Sequence, residues 1–227
     1  MTNGTSGPDP LQPLDETSFR AFAGELAASD PALGAVVATY GLPAFWRRPA
    51  TFATLALLVV EQQVSLASAK AVFDRMADLL GGAVTPEGLL SVTGDELGRV
   101  GLTRQKQRYV RLLAEAVTEG RLDLGALATL PDSEARDRLL ALTGIGPWTA
   151  DVYLLSALGR PDMWPVGDRA LQVGVAEVLG HPEVPSPQEL EALGERWRPV
   201  RAVAARLVWH SYLCRRNRQE TEFTTLA

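Results

Sequence analysis

Between two apolar runs of this chain stands Leu142-Thr143-Gly144-Ile145-Gly146-Pro147-Trp148-Thr149-Ala150, a stretch that admits few backbones. Glycines two apart permit the left-handed or crowded geometry of a tight turn. Pro147 suits the first turn of a helix, where its missing N–H would be unpaired anyway. The run therefore predicts helix, corner, helix, and the N–H groups opening the second helix can grip a phosphate. Asp168 follows twenty residues after Trp148, and its carboxylate could act on whatever the grip holds. Phosphate anchor plus positioned acid points to chemistry on DNA. A bare Gly-x-Gly would be an ordinary helix corner; the flanking Leu139, Leu140 and Leu142 and the following Trp-Thr-Ala favour the functional reading.

The pattern around that corner is helical nearly throughout. Helices are predicted near 17–28, 31–39, 51–60, 65–80, 103–119, 133–141, 148–158, 169–180, 187–194 and 200–213. The clearest begins after Thr103, where Tyr109, Leu112, Leu113 and Ala116 form an i, i+3, i+4, i+7 stripe and Arg104, Arg108 and Arg111 share another face. The 148–158 run is apolar on most sides, as in a buried helix. No run alternates with period two, so the expected fold is all-α, with short connections marked by Gly41-Leu42-Pro43, Gly81-Gly82, Gly120 and Gly159-Arg160-Pro161. Residues 1–14 and the last eight, poor in apolar content, are read as loose tails.

A hydrophobic content of 46% over 227 residues suffices for one large domain or two small lobes. The single cysteine, Cys214, excludes an internal disulfide and any cysteine-rich metal or iron–sulfur site. No signal-like or membrane-spanning run is present, which places the expected protein in the cytoplasm, away from membranes. A net charge of -5 argues mildly against a nucleic-acid partner. Distribution outweighs the sum: Arg99, Arg104, Lys106, Arg108 and Arg111 cluster, and Arg196, Arg198, Arg201, Arg206, Arg215, Arg216 and Arg218 crowd the C-terminal part. A local basic face on an acidic protein is compatible with DNA.

The hairpin run followed by Trp164-Pro165-Val166-Gly167-Asp168 resembles the helix-hairpin-helix DNA glycosylase superfamily, nearest the DNA-3-methyladenine glycosylase II type that removes alkylated bases. Glu61-Gln62-Gln63-Val64-Ser65, Gly101-Leu102-Thr103-Arg104-Gln105-Lys106 and Trp197-Arg198-Pro199 through Trp209 resemble that branch too, in the expected order, so the similarity runs from about Asp30 to Tyr212. The resemblance implies two helical lobes flanking a DNA-facing cleft. One would comprise residues 15–47 with 165–227; the other would be 48–164, with the helix-hairpin-helix at 133–158.

Site residues follow from the same resemblance. Asp168 is carried over as catalytic: breaking an N-glycosidic bond builds positive charge on the deoxyribose, which a carboxylate stabilises while it orients or deprotonates water. Asp168 also stands where an N-cap for the next helix belongs, and the two roles are compatible. Trp148 and Trp209 match aromatic positions of the base pocket, with Trp164 and Trp46 as further candidates; a Trp taken singly is more often core than pocket. An indole face attracts a cationic alkylated purine by an extra ~0.5–2 kcal/mol. Val152 and Arg169 stand where relatives carry pocket tyrosines, which implies a narrower or shifted substrate range. Gly144, Ile145, Gly146 and Thr149 of the hairpin, together with Arg104, are expected against DNA. Gln62 and Gln63 are expected against DNA too, with Gln63 filling the gap left by a flipped base; a plain polar helix junction is the other reading. The resemblance further implies a monovalent cation, Na+ or K+, on the carbonyls of Leu140, Leu142 and Ile145, with no cofactor required. Bifunctional relatives carry a lysine where this chain has Trp148, and Lys70 and Lys106 are its only lysines. The expected activity is thus monofunctional release of 3-methyladenine or 7-methylguanine from double-stranded DNA, by a monomer associated with the nucleoid. A non-catalytic damaged-DNA-binding module and a glycosylase for deaminated or oxidised bases are the rivals.

Overall fold

A computed structural model of the chain describes residues 12–218. Every regular element among them is helical. In chain order these are α1 (Glu16–Ser29), α2 (Pro31–Tyr40), α3 (Phe52–Glu61), α4 (Leu66–Leu79), α5 (Pro86–Ser91), α6 (Gly94–Arg99) and α7 (Arg104–Thr118). Then come α8 (Leu124–Leu127), α9 (Asp132–Leu140), α10 (Pro147–Ser156), α11 (Arg169–Leu179), α12 (Pro187–Gly194), a 3-10 turn at Glu195–Trp197 and α13 (Arg201–Cys214). The all-α expectation holds. Sequence periodicity missed α5, α6 and α8 because each is too short to show a period; their signal is a cap. Thr85 and Thr93 accept from the backbone N–H three residues on, Thr93 with Glu96 closing a capping box, and Asp123 accepts from Gly125 and Ala126.

The chain divides into two compact units. One contains the segment up to Arg47 and resumes at Gly159; the other is Arg48–Leu158. Residues 159–164, which the sequence reading attached to the second lobe, thus pack in the first unit. Leu14 explains part of this: it is wholly buried and its N–H donates to the Gly159 carbonyl at 2.7 Å. The tail expected over 1–14 therefore ends before Leu14, while residues 1–11 and the expected C-terminal tail lie outside the described residues.

The first unit is built around α13, whose residues from Arg201 to Trp209 are all buried. It packs on α11, α2 and α1. The α11 crossing is close because Gly174 has no side chain; a Cβ there would lie 2.6 Å from Val208 Cγ1. Asp30 caps α2 through the Ala32 and Leu33 N–H groups, while its other oxygen accepts the Trp197 indole N–H at 2.8 Å. Most of the C-terminal arginines are drawn into ion pairs or packing rather than left as a basic face. Arg196 pairs with Asp30, Arg198 and Arg201 with Asp162, and Arg216 with Glu177, while Arg206 is only 2% exposed. Neutralisation by carboxylates distant in sequence is what composition could not show.

In the second unit α3 is buried along its length and packs on α4, α7 and α10. Helix α10 is buried from Thr149 to Ser156, as its composition required. The inward face of α7 is Val110, Leu113, Ala114 and Ala116, one position displaced from the predicted stripe at its N-terminal end. Tyr109 and Leu112 sit at the margin, half-buried, because side chains lean toward the helix N-terminus and cover the neighbouring surface. Arg111 leaves the cationic stripe and donates to the Val92 carbonyl, whereas Arg104 and Arg108 stay exposed. No described helix is long and apolar enough to cross a membrane.

Candidate nucleic-acid interface and active site

The predicted corner is present. Helix α9 ends at Leu140, Leu142 N–H donates to Leu139 O and Ile145 N–H to Leu142 O, and α10 starts at Pro147. Gly144 adopts φ +96°, and a Cβ there would lie 2.4 Å from Tyr109 Cγ. Both its conformation and the ring beneath it require glycine. Gly146 caps α10 with extended backbone and no capping side chain, so the helix N-terminus stays open for an anion. The two helices are clamped by Arg136, whose Nε donates to Asp151 Oδ1 at 2.6 Å and whose Nη2 donates to Oδ2 at 3.2 Å. Gly144→Ala is expected to cost roughly 2–4 kcal/mol through left-handed strain and overpacking on Tyr109. Urea unfolding measures it, and an unchanged midpoint would show that the turn tolerates a side chain.

Not every hairpin residue predicted against DNA faces outward. Thr149 is 1% exposed and its Oγ1 accepts from Gln62 Nε2 at 3.0 Å; the same amide donates to Gly144 O at 2.9 Å. Ile145 is 5% exposed. Gln62 and Thr149 thus brace the hairpin from within rather than offering surface groups, and Ile145 contributes backbone alone. Gln63 is different. It is exposed at the α3–α4 junction with φ +58°, a conformation costing a non-glycine residue about 1–2 kcal/mol. Val64 beside it is 45% exposed, a rare exposed large apolar residue here.

In the first unit Asp168 does what its position predicted for a cap. Its Oδ1 accepts from Leu171 N–H at 2.8 Å at the start of α11 and from the Trp209 indole N–H at 3.1 Å. Capping and the indole bond fix the carboxylate while leaving it partly accessible. Trp209 is 5% exposed, so its ring is largely packed, with its polar edge aimed at Asp168. Trp148, on the first turn of α10, is partly buried.

Two tryptophans prove to be structural. Trp164 is 4% exposed, packs on Trp197 at 5.4 Å between centroids, and donates its indole N–H to Leu190 O. Trp46 carries the Arg206 guanidinium over its ring at 4.3 Å, and Arg206 Nη1 donates to the Trp46 carbonyl. Both rings are packed within the first unit, Trp46 at 8% and Trp164 at 4% exposure, which leaves little of either for a base.

Comparison with known proteins fits these features. Residues 57–199 match the family model described as HhH-GPD superfamily base excision DNA repair protein. The chain belongs to that superfamily. A Mycobacterium tuberculosis protein, "Probable bifunctional transcriptional activator/DNA repair enzyme AlkA", is 33% identical over 199 residues, covering 82% of this chain and 38% of that protein. The Saccharomyces cerevisiae DNA-3-methyladenine glycosylase is 30% identical over 155 residues, covering 64% of this chain and 51% of that one. The chain therefore spans about half the length, or less, of these two relatives. The crystal structure of a Bacillus halodurans DNA-3-methyladenine glycosidase superposes with TM-score 0.71 and 30% identity over 89% of this chain and 94% of that one.

For an HhH-GPD chain, three site-supporting groups escaped the sequence reading. Glu61 forms a bidentate pair with Arg48, both nearly inaccessible, at 2.7 and 2.9 Å. Lys106 Nζ donates to the Val60 and Gln62 carbonyls at 2.7 and 2.8 Å, and burial pushes its pKa down. Tyr109 supports Gly144. The sequence carried no local signal for these contacts, because each joins residues well separated along the chain.

Proposed function

We propose that this chain is a DNA glycosylase that hydrolyses the N-glycosidic bond of alkylated purines of the 3-methyladenine and 7-methylguanine type, leaving the strand intact. The observation that carries the reading is Asp168, a carboxylate held by an indole N–H and a helix-capping N–H, in a chain whose family is named for base excision repair. As the bond from C1′ to the base nitrogen breaks, its electron pair leaves with the base and positive charge gathers on the sugar. A fixed anion stabilises that charge without reorganising, and water then adds at C1′. N-alkylation makes the purine cationic and already a good leaving group, so a fixed carboxylate is enough help for its release.

The lysines support hydrolysis without strand cleavage. Lys106 is committed to two carbonyls and Lys70 pairs with Asp74 on the surface of α4, so neither is placed as a Schiff-base nucleophile in the hairpin. The open N-terminus of α10 and the exposed Arg104 and Gln63 are assigned to the duplex. A monovalent cation fits the hairpin backbone. Among the described residues no hydrogen bond reaches the Leu140 or Ile145 carbonyls, and the Leu142 carbonyl accepts only from Ile145, leaving it a lone pair. Such a cation would add positive charge for a DNA phosphate.

Incubating wild-type protein with methylated duplex DNA should release free 7-methylguanine and 3-methyladenine and leave abasic strands that break only on heating. Strand breaks before heating would refute the monofunctional assignment. Binding without release would favour a damage-recognition module, and faster release of a neutral deaminated or oxidised base would refute the cationic-base preference.

A further inference from the structure

Helix α7 touches both parts of the second unit that are assigned to DNA. Near its start, Lys106 donates to the carbonyls of Val60 and Gln62 on either side of the α3 terminus. This places a cation at the negative end of a helix. One turn on, Tyr109 lies under Gly144, and its hydroxyl accepts from Gln105 Nε2 at 2.7 Å. Gln62 closes the circuit by donating its amide to Gly144 O and Thr149 Oγ1. Between these anchors Gln63 is held left-handed, a state that persists only where its surroundings over-determine it.

We propose that Lys106 and Gln62 are positioning residues that couple the Gln63 turn to the 144–149 hairpin, presenting the gap-filling side chain and the phosphate grip to duplex DNA at one fixed separation. The inference rests on the glycosylase reading above for its enzymatic readout. Without the coupling, the protein still binds phosphates through the open end of α10, but the Gln63 turn relaxes and the opened stack closes again.

The test uses the full chain and a duplex with one 7-methylguanine beside a 2-aminopurine, whose fluorescence rises when the stack opens. Lys106→Met and Gln62→Leu should each slow single-turnover release at saturating DNA by about tenfold, as expected when a reacting group is misplaced by a fraction of an ångström. Both should also reduce the fluorescence rise, while DNA affinity changes by less than about threefold because phosphate contacts remain. Lys106→Arg, which keeps a cationic donor, should recover most of the rate. In a Gln63→Ala background, Lys106→Met should add no further loss, because coupled residues do not act additively. A role confined to stability would instead lower the unfolding midpoint and leave the saturated rate unchanged, which overturns the proposal, as does a full additive loss in the Gln63→Ala background. If Lys106→Met does not fold, Gln62→Leu decides. If wild type releases no base, the glycosylase reading fails. The fluorescence of wild type against Gln62→Leu then still decides the coupling, equal signals overturning it.

Discussion

Asp168→Asn should lower base release from alkylated duplex DNA by roughly 100–1000-fold, the range seen when one preorganised electrostatic group is removed. The isosteric amide keeps an oxygen that can accept from Leu171 N–H and from the Trp209 indole, and Asn caps helices about as well as Asp. Stability should therefore stay within about 0.5 kcal/mol of wild type, and binding to duplex DNA should persist. Asp168→Ala separates the two roles: it loses the same rate and additionally about 1 kcal/mol of stability from the missing cap. Single-turnover release alongside urea unfolding makes the comparison. An Asn variant retaining more than a tenth of the rate would move the chemistry to another group.

Glu61→Ala should be the most destabilising single change, by about 3–5 kcal/mol, because it leaves the Arg48 guanidinium in a dry site without its carboxylate. The side chains of this pair are 3% and 5% exposed, so solvent cannot replace the lost partner. Arg48 also ties α10 through its backbone, its N–H donating to Ser156 O at 2.9 Å, and Glu61 directly precedes Gln62 and Gln63. Loss of the pair should therefore loosen the Gln63 turn as well as lower the unfolding midpoint. Replacing both residues with apolar ones (Arg48→Met with Glu61→Leu) should recover most of the stability, since two buried charges repay their desolvation only when paired. A Glu61→Ala variant within about 1 kcal/mol of wild type would place the pair among ordinary surface contacts.

What could be read from residue order alone is what local physics encodes. Gly144-Ile145-Gly146-Pro147 has few backbones available, so the corner and the open helix behind it were legible, as was Asp168 as cap and candidate acid. Apolar spacing located the long helices, while α5, α6 and α8 were too short for a period to appear and are visible only through caps such as Thr93 with Glu96. The family motifs were equally legible, because each is contiguous or nearly so.

The fate of individual side chains was not. Trp46, Trp148, Trp164 and Trp209 are the same residue type with the same intrinsic chemistry, and only packing separates them. Trp46 is covered by Arg206 from 160 positions away, Trp164 by Trp197, Trp209 is turned toward Asp168, and Trp148 keeps exposed surface. In the basic C-terminal cluster Arg196, Arg201 and Arg216 likewise pair with Asp30, Asp162 and Glu177, and Lys106 found carbonyls 44 and 46 residues earlier. Sequence alone determined the long helices, the Gly144-Ile145-Gly146 corner and the capped aspartate, because each depends on neighbours within a turn or two of chain. Tertiary structure decided which aromatic faces and charges remain available, because burial and ion pairing are set by residues far apart in sequence.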